Sequence, residues 1–95
     1  MEQKSIRKVI ETVESLNVGD VVRFIDVNEN MYVGEVTEHR PNSNNKHKDY
    51  EVEGDNTTRD CVLEVWYDPQ GGPINVQVSF NDNTRKEVKN IESDS

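Results

Sequence analysis

Apolar residues near the start of the chain recur at helical spacing. Within the segment EQKSIRKVIETVESLN they stand three and four positions apart, which places them on one side of a helix. Asn17 and Gly19 then provide a C-terminal stop signal. The spacing predicts a helix over about residues 3–17 that packs against the rest of the domain through Ile6, Val9, Ile10, Val13 and Leu16.

The remainder of the chain alternates between apolar and polar residues with a period of two, the pattern of half-buried strands. The first two strand-like runs are GDVVRFIDV and MYVGEVTEH, which flank the polar turn DVNEN. Three more are DYEVEGDN, RDCVLEVWYD and INVQVSF, and RKEVKNIE reads as a final strand or a short helical turn. The Pro, Ser and Asn residues of RPNSNNKHK predict a loop between the second and third strands.

Short strands separated by frequent turn signals are typical of a small barrel or a sandwich-like curled sheet. We therefore predict a mainly β fold: a small antiparallel barrel of five to six strands, with the N-terminal helix packed against it. The sequence leaves open whether the barrel closes. A single domain is expected over residues 1–92, with the β region at about 20–91 and a disordered tail at 93–95.

The stretch VGDVVRF, followed by a polar turn and YVGEVTE, resembles the start of SH3-like small barrels, including the KOW and Tudor-like groups. In the barrels that this stretch resembles, a Gly-Asp turn precedes the first strand, and a later Gly-x-Val bends the second strand at a bulge or a tight turn. The resemblance implies an SH3-like barrel. The loop between these strands is rich in Asn and Glu, where KOW-type nucleic-acid binders carry basic residues. The matching positions are Gly19, Asp20, Val22, Phe24, Gly34 and Val36.

Composition narrows the classes of partner. The 95 residues carry a formal net charge of −8 and are 32% hydrophobic, values that alone would suggest disorder, but the regular apolar pattern excludes it for the middle of the chain. An acidic chain repels nucleic acid and anionic membranes as a whole. No apolar run approaches the ~18 residues of a membrane span, and the N-terminus lacks an apolar signal region. We expect a cytoplasmic protein, and the acidity leaves a halophilic source open.

One local basic segment interrupts the acidic sequence. His39 precedes a loop that contains Arg40, Lys46, His47 and Lys48. These side chains could neutralise phosphates of RNA or DNA, or they could belong to a solvated loop without a ligand.

The aromatic residues offer a second candidate surface, because converging rings can stack on bases or enclose a cation. By strand parity Tyr32 and Tyr50 point into the core, and Trp66 is expected to pack against the helix. Tyr67 remains the aromatic candidate for a binding surface.

The sequence predicts no catalytic residues, no metal site and no cofactor, and therefore no enzyme. His39 and His47 match no zinc spacing, and Cys61 lacks a second cysteine and lies in an apolar run. The DVNEN segment lacks the Gly and the final Glu of a calcium loop, and PQGGP lacks the Lys-Ser/Thr of a phosphate-binding loop.

These observations favour a non-enzymatic interaction module, a monomer or weak dimer, that binds a protein partner through its charged surface and the 39–48 loop. A basic partner would suit the acidic surface. The alternative is RNA or DNA binding through the basic loop and the aromatic residues. The candidate binding residues are Arg40, Lys46, His47, Lys48 and Tyr67.

Overall fold

The computed structural model describes residues 2–43, 46–56 and 58–94. They form one helix followed by six strands around a single hydrophobic core. None of the described residues belongs to a helix long and apolar enough to span a bilayer.

The predicted N-terminal helix is present as α1 (Glu2–Glu14) and ends three residues earlier than expected. Its last turn tightens, because the Ser15 and Leu16 amides donate to the carbonyls three residues before them. The Asn17 amide then donates to the Asp20 carboxylate at 2.8 Å, and this turn leads the chain into the first strand. The apolar stripe is buried at Val9, Ile10, Val13 and Leu16.

The strands form a closed antiparallel barrel in which each strand pairs with its neighbour in sequence. The last strand pairs with the first, which answers the question of closure. The sequence therefore predicted the fold class correctly. The strands are β1 (Val21–Asp26), β2 (Met31–Ser43), β3 (His47–Gly54), β4 (Cys61–Tyr67), β5 (Pro73–Ser79) and β6 (Arg85–Asp94).

The barrel interior is filled by alternate residues of the strands. The Phe24 and Tyr32 rings stack at 4.9 Å between centroids, and Tyr50 and Leu63 are fully buried in the same core. Gly34 is required where β2 approaches β3, because a Cβ at this position would lie 2.5 Å from the Glu53 carbonyl oxygen. The register of β2 with β3 shifts not at Gly34 but beyond it, between Val36 and Glu38 and again between Arg40 and Ser43.

The β1–β2 hairpin is closed around a buried carboxylate. Asp26 accepts the backbone amides of Asn28 and Asn30 at 2.8 and 3.0 Å, and the Tyr32 hydroxyl donates to it at 2.7 Å. Burial alone would raise the pKa of Asp26, but the hydrogen bonds from Tyr32, Asn30 and Asn28 hold it below its usual value. The DVNEN segment is thus a hairpin turn organised by its own first residue.

Strands β5 and β6 pair over a short stretch, Gln77–Ser79 with Arg85–Glu87. The helix packs against β4, β5 and β6, and its Val13 is fully buried in the common core. The β5–β6 pairing is the shortest in the barrel, and we conclude that α1 contributes apolar side chains to the core beside it.

The described residues of two predicted irregular segments lie mostly in strands, and those predictions were wrong there. The predicted loop at residues 40–48 is mostly a hairpin, because Arg40 pairs with Asp49 and Ser43 with His47. Residues 44 and 45 of that loop lie outside the described residues.

The predicted disordered tail at 93–95 is also corrected: Ser93 and Asp94 continue β6 and pair with Val22 and Val21. Ser95 lies outside the described residues. In both segments, pairing with a neighbouring strand satisfies backbone groups that the local polar composition suggested would be solvated.

Candidate functional site

The predicted basic loop does not form a positive surface, because acidic side chains pair with most of its charges. Arg40 pairs with Glu51, with Glu38 at 3.5 Å and with Asp49 at 3.7 Å. Hydrogen bonding to Glu51 raises the pKa of Arg40. Of the four predicted basic residues, Lys46 is exposed and has no ion pair among the described residues.

Lys48 and Tyr67 form a separate contact with the end of the helix. The Lys48 ammonium lies 3.5 Å from Glu14 and 5.2 Å from the centre of the Tyr67 ring. The Tyr67 hydroxyl donates a hydrogen bond to Glu14, and its ring packs against the core. Burial, and then this hydrogen bond, raise the pKa of Tyr67. These two predicted binding residues therefore fasten α1 to the barrel.

The aromatic residues do not converge on one platform. Tyr32 and Tyr50 are buried in the core as predicted. The prediction for Trp66 was wrong: it lies on the outer face of β4, where its ring contacts His47 at 4.4 Å and the Arg85 guanidinium at 5.4 Å. Parity placed Trp66 on the side away from the barrel interior, and its ring contacts there are with residues of β3 and β6.

The structure shows a feature that the sequence did not predict: carboxylates stand opposite one another across the outer face of β2, β3 and β4. Strand register places acidic residues directly opposite one another three times: Glu35 with Glu53, Glu38 with Glu51, and Asp49 with Glu64. Like charges directly opposite each other in an antiparallel pair are destabilising. We call the set Glu35, Glu38, Glu51, Glu53 and Asp60 the acidic face.

Within the described part of the chain, two of the three acid pairs have counter-charges and one does not. Arg40 pairs with Glu38 and Glu51. The Arg85 Nε donates to Glu64 at 2.9 Å, which raises the pKa of Arg85. No cation of the described residues forms an ion pair with Glu35 or Glu53, although the two stand opposite each other.

An open groove of about 430 Å³ runs along the acidic face. Glu51, Glu53 and Asp60 line it together with the apolar side chains of Val62 and Phe80. Asp60 also accepts the Gly54 amide at 2.9 Å, which fixes its carboxylate at the end of β3. Such a groove combines negative charge with an apolar surface.

Cys61 also lines this groove but offers no reactive group to it. The residue is buried, as the sequence predicted. Burial, and next the charge of Asp60, raise the pKa of the Cys61 thiol to about 12, so it remains protonated at neutral pH.

Further along the same outer surface, three titratable side chains are buried together. His47 is 7% exposed, Asp49 5% and Glu64 3%. The His47 Nδ1 lies 2.5 Å from an Asp49 carboxylate oxygen, and one donor atom from each of the three residues lies within 4.8 Å of the others. Glu64 also accepts the Trp66 indole N–H at 2.9 Å. We call this set the His-Asp-Glu cluster.

Sequence reasoning found His47 but missed its acidic neighbours. The alternation of Asp49, Glu51 and Glu53 in DYEVEGD does show that three carboxylates share one strand face. The approach of Glu64 depends on the β3–β4 register, which the sequence does not display. Comparison of the chain with family models, with curated proteins and with solved structures gave no match.

Proposed function

We propose that this protein is a non-enzymatic interaction module that binds a basic segment of a protein partner on its acidic face. The observation that carries the proposal is the Glu35–Glu53 pair, two opposed carboxylates without a counter-charge from the described residues. An arginine or lysine of the partner placed between them would replace a repulsive contact with a charge-assisted hydrogen bond.

The surroundings of that pair suit a peptide. Val62, which is half-buried, offers apolar surface to the methylene groups of a lysine or arginine side chain. The net charge of −8 would accelerate encounter with a cationic partner and would make the affinity fall with added salt.

The contacts give less support to the alternative, nucleic-acid binding. Arg40 and Lys48 pair with carboxylates, so a phosphate would have to compete with Glu51 or Glu14 for each cation. Phosphate contacts provide most of the affinity of non-specific nucleic-acid binding. Of the two partners, a cationic peptide therefore fits the described surface better than RNA or DNA.

The test is fluorescence anisotropy with a fluorescein-labelled octalysine, an octaglutamate and a single-stranded RNA of similar length. We expect binding of octalysine alone, with an affinity that falls as salt is added. Glu53→Lys should weaken octalysine binding about tenfold, the equivalent of ~1.4 kcal/mol.

Glu92→Lys is the matched control. It makes the same charge change at an exposed position of β6, opposite Arg23 and outside the acidic face. Equal losses in the two variants would mean that octalysine responds only to net charge, and the proposed surface would be wrong. Preferential binding of the RNA would favour the alternative.

A further inference from the structure

The His-Asp-Glu cluster has no part in the proposed peptide contact and contains a chelating set of donors. Strand geometry assembles it: His47 and Asp49 are two residues apart on the outer face of β3, and Glu64 lies opposite Asp49 on β4. Burying two carboxylates side by side is costly unless a cation lies close to both. The cluster therefore requires positive charge, whatever its source.

We infer that the His-Asp-Glu cluster is a binding site for one divalent transition-metal ion, with Zn²⁺ as its representative. Imidazole nitrogen together with carboxylate oxygen suits Zn²⁺ and its first-row neighbours, whereas Ca²⁺ and Mg²⁺ prefer oxygen ligands alone. Donor atoms within 4.8 Å of one another can converge on an ion at about 2 Å through small side-chain rotations.

The neighbouring residues would hold the ligands in place. The Trp66 ring packs against the His47 ring, and the Trp66 indole N–H bonds to a Glu64 oxygen, so one side chain orients two donors. The hydrogen between His47 Nδ1 and Asp49 can transfer to Nε2 by a change of tautomer, which frees Nδ1 as a ligand.

Two arginines currently supply the positive charge and would compete with the metal. Arg85 pairs with Glu64, and Arg40 lies 3.7 Å from Asp49. Both guanidinium side chains are about 40% exposed, so each can turn toward solvent when an ion enters. The competition gives a prediction of unusual sign: removal of Arg85 should strengthen metal binding.

The first experiment needs no variant. The imidazole resonances of the tag-free, chelator-treated chain are followed by NMR during titration with Zn²⁺. The chain has two histidines, so each can be observed separately. We expect saturation at one ion per chain with the His47 ring shifted and the His39 ring unchanged, and no competition from excess Mg²⁺. Equal shifts at both rings, or no shift at His47, would overturn the inference.

Variants then test the ligands by calorimetric Zn²⁺ titration. Asp49→Asn and His47→Gln should each weaken binding by at least about tenfold, the lower end of the loss seen for outer-shell changes. His39→Gln and Cys61→Ser are the matched controls and should leave the affinity unchanged.

Arg85→Gln should raise the Zn²⁺ affinity, whereas Arg59→Gln, at a cation outside the cluster, should not. If the cluster is only an ion-pair network, Arg85→Gln will leave Zn²⁺ binding absent. These outcomes are independent of the peptide proposal. Glu53, the residue changed to test that proposal, is not one of the three donor residues of the cluster.

Discussion

Two regions of the barrel bury carboxylates in opposite ways. Asp26 is surrounded by neutral donors from its own hairpin, and four hydrogen bonds satisfy it within six residues of sequence. Asp49 and Glu64 face each other across two strands, and guanidinium groups from β2 and β6 balance their charge. The first arrangement stabilises a turn. The second keeps repulsive groups together, which the fold itself does not require.

The largest effect on the free energy of unfolding is expected at Asp26, in the first of these two regions. Asp26→Ala removes the acceptor of the buried Tyr32 hydroxyl and of two backbone amides. We expect a loss of about 3 kcal/mol in the free energy of unfolding, because buried donors are left without partners. Urea denaturation measures this loss.

Asp82→Ala is the control, because Asp82 organises a similar turn through Thr84 at an exposed position. This variant should lose less free energy of unfolding. A loss for Asp26→Ala no larger than that for Asp82→Ala would contradict the structural role of Asp26.

Acid should weaken the hairpin through the same residue. Because the folded-state pKa of Asp26 lies below its ordinary value of 3.8, the ionised carboxylate stabilises the fold above that pH. The contribution is lost as the pH falls through the lower folded-state value. The stability difference between the wild type and Asp26→Asn should therefore shrink below about pH 4. Urea titrations at several pH values measure it, and a constant difference would refute the assignment.

A smaller effect is expected on the outer surface. Glu64→Gln keeps an acceptor for Trp66 but loses the charge that pairs with Arg85, while it also relieves repulsion from Asp49. Because these changes oppose each other and Arg85 is partly solvated, we expect a loss of about 1 kcal/mol or less. A loss as large as that of Asp26→Ala would show that Glu64 is retained for stability.

The smallest effect has the opposite sign. Glu53→Gln removes one of two opposed carboxylates that have no ion pair among the described residues, so the fold should gain roughly 0.5 kcal/mol. Glu92→Gln, at a position opposite Arg23, should not increase the free energy of unfolding. Chemical denaturation of both variants at low salt measures the difference. A destabilised Glu53→Gln would mean that this carboxylate supports the fold, and the argument for a binding role would fail.

The sequence predicted what local patterns determine. Helical spacing located α1, and alternation located the strands and the buried tyrosines. The Arg40–Lys48 segment was mistaken for a loop because its Pro and Asn residues indicated a turn, while the pairing of His47 and Lys48 with β4 depends on residues distant in sequence. The acidic face and the His-Asp-Glu cluster depend on register between strands, which a single sequence does not display.

The most direct test of the central claim, that the acidic face binds a cationic peptide, is an amide NMR titration of the labelled chain with octalysine and with RNA at two salt concentrations. The account predicts shifts with octalysine at the outer positions of β2, β3 and β4, centred on Glu35 and Glu53 and weaker at higher salt. Shifts with RNA at residues 39–43 and 46–48 and none with octalysine would contradict it. They would identify the basic segment as the binding surface.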